Sequence, residues 1–227
     1  MNVHDEQKRA AARRALELVE SGMLLGIGSG TTARFFIQAL GERVATGLRV
    51  SAVATSRQSE ELARSLGIAV IDDPSQPIDL AVDGADEIDP QLRLIKGHGG
   101  ALFREKLVAS SARRFIVIAD ASKLARRLGR TFVPVEILPF LWRQTARRLA
   151  ALGAEVRLRA GPDGPYRTDN GNLILDLTFA GGIEDPEGVA TAIKVTTGVL
   201  EHGLFLGLAT GAIVAEPQGL RILGSLS

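Results

Sequence analysis

The sequence predicts an α/β fold: a mostly parallel sheet with helices on both faces, joined to a smaller ferredoxin-like unit. Three observations predict it. Over the first two-thirds of the chain, short apolar runs alternate with segments of helical periodicity, the signature of a parallel sheet covered on both sides. Glycine- and carboxylate-rich loops follow the apolar runs, where open α/β sheets bind their ligands. After Gly129 the order becomes strand-helix-strand-strand-helix-strand.

In order, Asp5 to Glu20 reads as a helix, with Ala12, Leu16 and Val19 at helical spacing and Gly22 as its stop. Met23 to Ile27 is a buried strand, Thr32 to Leu40 a helix and Leu48 to Ala54 a second strand. Ser59 to Leu66 is a helix ended by Gly67, and Ile68 to Ile71 and Leu80 to Val82 are further strands. Ala101 to Ser110 is a helix and Phe115 to Ala119 an apolar strand. In the second part, Phe132 to Ile137 is a strand, Phe140 to Leu152 a helix and Ala154 to Arg159 a strand. Asn170-Gly171 signals a hairpin before the strand Leu173 to Leu177. Pro186 to Val195 is a helix and Val199 to Leu206 the last strand of this unit. Gly207 to Leu223 is expected to return to the first sheet. The expected division is 1–130 with 205–227, and 131–204.

The 227 residues suffice for such an arrangement. Net charge is +1, so no long-range field recruits nucleic acid or an acidic membrane, and an anion must be held by local groups. The absence of cysteine removes disulfides, a thiol nucleophile and thiolate metal sites. Met1 to Glu20 is charged throughout and lacks an apolar h-region, and no apolar run reaches the roughly 18 residues of a membrane span. A cytoplasmic protein is the expectation.

Four loops carry the chemistry. The first is Gly26-Ile27-Gly28-Ser29-Gly30-Thr31-Thr32. Its glycines allow close backbone approach, and its hydroxyls and the next helix's N–H groups can donate to phosphate. The dinucleotide fingerprint needs glycine where Thr31 stands, and a P-loop lysine is absent, so the loop suits a monophosphate. The second, Asp83-Gly84-Ala85-Asp86-Glu87-Ile88-Asp89, puts four carboxylates after an apolar strand. A solvated turn, a metal site and a catalytic acid all fit that cluster, and Asp83 is the carboxylate best placed to face a cleft. The third, Lys96-Gly97-His98-Gly99-Gly100, runs into a helix and offers a cation and N–H donors as an oxyanion site. Glu105, about one turn into that helix, is either a helix-dipole partner or a base. The fourth, Ala119-Asp120-Ala121-Ser122-Lys123, presents a lysine that can reach phosphate or simply lie on the surface. His4, His98 and His202 lack metal-ligand spacing, and the paired arginines read as solvated helix faces.

Taken together, GIGSGTTA, TSRQSEELA, DLAVDGADEID, IKGHGGALFREKLVA, VIADASKL, VPVEILPF and TDNGNLILD resemble the A-type ribose-5-phosphate isomerases along nearly the whole chain. The resemblance implies a Rossmann-like catalytic domain with a smaller α+β domain, no cofactor and no metal. It also implies a pentose 5-phosphate as the partner molecule, with no nucleic acid or membrane, in a homodimer or homotetramer. It makes Glu105 the general base, with Asp83, Asp86 and Lys96 as its polar companions. It makes Ser29, Gly30, Thr31, Thr32 and Lys123 substrate-binding positions, with Lys8, and with the runs Asp83-Gly84-Ala85-Asp86 and Lys96-Gly97-His98-Gly99. His98 stands where the family commonly has glycine, and Ala209 to Ala212 depart from its usual acidic segment. The implied reaction interconverts ribose 5-phosphate and ribulose 5-phosphate by proton transfer through an enediol, in the non-oxidative pentose phosphate pathway. The alternatives are an NADP-linked oxidoreductase, with Arg57 reading the 2′-phosphate, and a non-catalytic sugar-phosphate sensor. A related deaminase or lactonase is a third, against which the second and third loops argue.

Overall fold

The computed structural model describes residues 3–227; the side chain of His4 lies outside what it describes. The chain opens with α1 (Val3–Leu16), β1 (Leu24–Ile27), α2 (Gly30–Ala45), β2 (Ser51–Ala54), α3 (Arg57–Ser65), β3 (Ala69–Val70) and β4 (Leu80–Asp83). Next come β5 (Glu87–Ile88), β6 (Leu94–Ile95), α4 (Leu102–Ser110) and β7 (Phe115–Asp120). The second part runs β8 (Val133–Ile137), α5 (Trp142–Ala150), β9 (Glu155–Leu158), β10 (Ala160–Gly161), β11 (Gly164–Pro165) and β12 (Leu173–Thr178). It continues with α6 (Pro186–Lys194), β13 (Val199–His202) and β14 (Leu204–Phe205), and the chain closes with β15 (Gly211–Glu216) and β16 (Gly219–Gly224).

One compact unit comprises Met1–Ala85, Arg104–Lys123 and Gly207–Ser227. Its sheet has the order β16-β15-β7-β4-β1-β2-β3 and is parallel except for the terminal β15–β16 hairpin. Residues of β1, β4 and β7 are buried without exception, because helices cover both faces. The core gathers Leu25, Ile27, Phe36, Leu40, Leu80, Val82, Ile116 and Ile213. At Gly26 an added Cβ would run into Val108 and Ala81, so glycine lets α4 lie close against β1. That approach brings the first turns of α4 to the carboxyl ends of β1 and β4.

The other unit comprises Asp86–Phe103 and Leu124–Leu206. It is wider than the 131–204 expected from the sequence, since it also takes in β5, β6 and the Lys96–Gly100 loop. Its four-stranded antiparallel sheet has the order β13-β8-β12-β9, which is the fourth, first, third and second strands of a ferredoxin-like βαββαβ. Val133, Val135, Ile137, Leu173, Leu175 and Leu177 fill its core with Leu149 and Ile193 from the helices.

Two expectations are corrected. The first helix ends at Leu16 rather than Glu20, where the Leu18 and Val19 N–H groups bond the carbonyls of Ala15 and Leu16 and tighten the last turn. Val199 to Leu206 is not one strand: it breaks at Gly203 into β13 and β14, and β14 joins β6 in a separate three-stranded sheet. Gly203 gives its N–H to Pro134 and takes the Lys96 N–H, and a Cβ there would collide with the Lys96 carbonyl and the Pro134 ring. The pairs β5–β6 and β10–β11 are two residues long per strand, too short for any periodicity to announce them.

Candidate active site

In the first unit, three sequence-predicted residues converge beyond the carboxyl ends of β1 and β4. Asp83 closes β4 and is buried. Its Oδ1 accepts from the N–H groups of Ser29 at 3.1 Å and Gly84 at 2.7 Å, which holds the carboxylate still. Ser29 stands at the N-cap of α2, yet makes no side-chain cap; its hydroxyl donates instead to Glu105 Oε1. The leading N–H groups of the 16-residue α2 are thereby left to meet an anion. Glu105 is 6% exposed and, with Asp83, Gly28 and Thr55, lines a narrow crevice. Gly28 has no room for a side chain, because its Cβ would overlap the Asp83 carboxylate.

The residues expected to meet a phosphate, Lys8, Thr31, Thr32 and Lys123, lie in the same unit. Lys8 from α1 reaches the Thr31 hydroxyl at 3.4 Å, so the first helix does supply a lysine to this loop. Thr32 faces Gly84. Lys123 and Lys8 both exert their charge on Asp120. Burial works to raise the pKa of Asp120, but the hydroxyl and N–H of Ser122 and the two lysines outweigh it and hold the carboxyl below its ordinary value. A depressed folded-state pKa adds stability above the unfolded value, lost as pH falls through the folded one. Asp120→Asn is therefore expected to lower the urea midpoint at pH 7, and to flatten its decline below the ordinary carboxyl value of 3.8, in denaturation series across that window.

In the second unit the remaining carboxylates of the DGADEID run part company. Asp86 Oδ2 accepts from the His98 N–H at 3.0 Å. Glu87, fully buried, takes the N–H groups of Gly129 and Thr131 and the Thr131 hydroxyl. Asp89 caps its own turn through Gln91 and Arg93. Among the described residues no cluster of three His, Cys, Asp or Glu side chains is arranged to hold a metal ion. Lys96 is 3% exposed, with its Nζ 5.5 Å from the Phe205 ring centroid. Gly97 and Gly100 take φ values of 101° and 91°, open to glycine alone at low cost. The Gly99 carbonyl accepts from the Tyr166 hydroxyl at 3.3 Å.

Sequence reasoning missed the support of this loop. Arg159 Nη1 donates to the carbonyls of Gly97 at 3.1 Å and His98 at 2.9 Å, while Asp176 grips the guanidinium through both carboxylate oxygens. Arg159 looks like any strand arginine in the sequence, and only the pairing of β9 with β12 brings Asp176 to it. A cavity of ≈ 860 Å³ lined by Arg57, Ile71, Pro74, Arg104 and Leu107 lies in the first unit; it includes Arg57 of the NADP-linked alternative and none of the residues expected to serve the isomerase reaction. Size alone does not make a site, and the expected residues Asp83 and Glu105 instead line the crevice with Gly28.

A family model described as ribose 5-phosphate isomerase A (phosphoriboisomerase A) matches residues 51–219. The chain is 52% identical over 223 residues to ribose-5-phosphate isomerase A of Thermomicrobium roseum, covering 96% of this chain and 94% of that one. It is 54% identical over 218 residues to the protein of the same name from Roseiflexus castenholzii, covering 94% and 93%. Among solved structures, ribose 5-phosphate isomerase A from Methanocaldococcus jannaschii superposes with a TM-score of 0.93 at 36% identity, over 97% of this chain and 99% of that one. A D-ribose-5-phosphate isomerase in complex with phospho-erythronic acid gives 0.95 at 39% identity, over 99% and 100%.

Proposed function

Because the chain belongs to the ribose 5-phosphate isomerase A family, it is an aldose-ketose isomerase of ribose 5-phosphate and ribulose 5-phosphate, and we propose that Glu105 is its base. The observation that carries this assignment is the buried Glu105 carboxylate, held by the Ser29 hydroxyl beside Asp83. A proton next to a carbonyl is weakly acidic, so the enzyme must both remove it and stabilise the enediolate. Glu105 takes the proton from C2 of the aldose and returns it to C1, one carboxylate serving both carbons on one face of the chain. Asp83 moves protons between O1 and O2 and opens the furanose ring. Asp86 orients sugar hydroxyls, and Lys96 stabilises the developing oxyanion. These last two roles rest on the sequence resemblance.

Ser29, Gly30, Thr31, Thr32, Lys123 and Lys8 hold the phosphate. The free N–H groups at the start of α2 and the reach of Lys8 to Thr31 support that role. Phosphate binding far from the reacting carbons restricts them to the geometry the base requires. The phospho-erythronic acid complex of the related isomerase supports an acid phosphate of similar length as a ligand here. A homodimer or homotetramer and a cytoplasmic location belong to the same reading; Leu138, Phe140 and Leu141, exposed apolar residues of the second unit, support self-association.

The test is direct. Metal-stripped, nucleotide-free protein is incubated with ribose 5-phosphate in D₂O and followed by NMR. Ribulose 5-phosphate carrying solvent deuterium at C1 is the expected product. A folded protein that forms no ketose would return the sensor reading to the front.

A further inference from the structure

His98 lies in the loop proposed to meet the sugar, and both of its ring nitrogens face acceptors. The ring stacks on Phe132, with centroids 4.0 Å apart. Nε2 is 3.1 Å from the Phe132 carbonyl, which can only accept. The second group at Nε2 is the Thr131 hydroxyl at 3.4 Å, and that hydroxyl spends its proton on Glu87 Oε1 at 2.6 Å. Nε2 therefore carries the hydrogen in the neutral ring. Nδ1 faces Asp86 Oδ1 at 3.7 Å, while the backbone N–H of the same residue holds Asp86 Oδ2. A neutral ring turns a lone pair toward the carboxylate; a protonated ring turns an N–H and a positive charge toward it.

Other charged groups lie near the ring. Arg159 donates to the His98 carbonyl and lies 5.4 Å from the Phe132 ring centroid. Glu87 stands behind Thr131, and Lys96 is two residues back along the loop. Asp86 Oδ1 is the carboxylate oxygen facing Nδ1 among the described residues.

We propose that His98 is a positioning residue for Asp86, whose protonated ring fixes the carboxylate that orients the sugar hydroxyls. The proposal rests on the isomerase reading of Asp86. Raising the pH favours the neutral ring, which turns the Nδ1 lone pair toward Asp86. Attraction to Asp86 gives way to repulsion, the carboxylate loosens, and KM rises. Turnover, which depends on Glu105, moves far less.

The experiment measures KM and kcat for ribose 5-phosphate from about pH 5.5 to 8.5 in the wild type, His98→Gly and His98→Asn. Titration of the substrate phosphate is common to all three and cancels in their ratios. Wild-type KM is expected to rise about two- to fivefold more than that of His98→Gly, the range of a partly exposed ion pair. His98→Asn places an amide nitrogen where Nδ1 stands and donates at every pH, so its KM stays low across the range. ¹⁵N NMR of the wild-type ring is expected to find the neutral form protonated at Nε2. Superimposable KM–pH profiles in wild type and His98→Gly would overturn the proposal, as would a neutral ring protonated at Nδ1. A folded wild type that makes no ketose at any pH would remove the isomerase reading and this proposal with it.

Discussion

Glu105→Gln lowers kcat by about 10²–10⁴-fold, the usual contribution of a positioned general base, and leaves the fold in place. Glutamine has the same length and keeps an oxygen that can accept from the Ser29 hydroxyl, the bond that holds Glu105 Oε1. The buried environment of the side chain is therefore preserved, while the atom that takes the C2 proton loses its basicity. KM for ribose 5-phosphate is expected to change little, because phosphate binding is assigned to other residues. The pattern is that of an interaction made in the transition state rather than in the ground state. Steady-state kinetics with a thermal melt of the same preparation checks both halves. A variant that turns over near the wild-type rate would remove Glu105 as the base, whatever its melt.

Gly28→Ala is expected to lower kcat/KM by about a hundredfold or more, through geometry and without removing any functional group. The Cβ of alanine would occupy the space of the Asp83 carboxylate. That carboxylate is held in place by the N–H groups of Ser29 and Gly84, so it cannot yield without breaking one of them. Gly28 is itself pinned, donating to the Val82 carbonyl and accepting the Ser59 hydroxyl. Overpacking of this kind costs about 1–3 kcal/mol of stability. The control is Gly47→Ala, at a positive φ of 107° with open space around it. It is expected to lose stability through backbone strain and to keep full activity, so the pair separates a lost carboxylate position from a merely weakened fold. Equal activity in the two variants would show that Asp83 needs no fixed position.

How much was legible depended on the range of the interactions. Strands such as β4 and β7 were readable because continuous apolar runs report burial on both faces. The loops after them were readable because glycine, hydroxyl and carboxylate residues at strand ends announce their chemistry locally. The break at Gly203 was not readable. It depends on Lys96 and Pro134, and neither is near it in the chain. Glu87 offered no sign that it would turn from the carboxylate cluster to Gly129 and Thr131, more than forty residues away. Arg159 gave none of its role under the carbonyls of Gly97 and His98, some sixty residues away.

By itself the sequence determined the alternation of elements, the ferredoxin-like order of the second part, and the ordered set of loop motifs that resembles one isomerase family. These are properties of neighbours along the chain: periodicity records which faces are buried, and composition at strand ends records where backbone can meet an anion. Only the tertiary structure decided which partner each polar group takes. Ser29 could have capped α2 and instead donates to Glu105, 76 residues away. Asp83 could have been a solvated turn residue and instead sits buried with the N–H groups of Ser29 and Gly84. A hydroxyl or a carboxylate has several competent local partners of nearly equal energy. The choice among them follows from which strand ends the sheet order and close packing bring together, and that is settled only when the whole chain has folded.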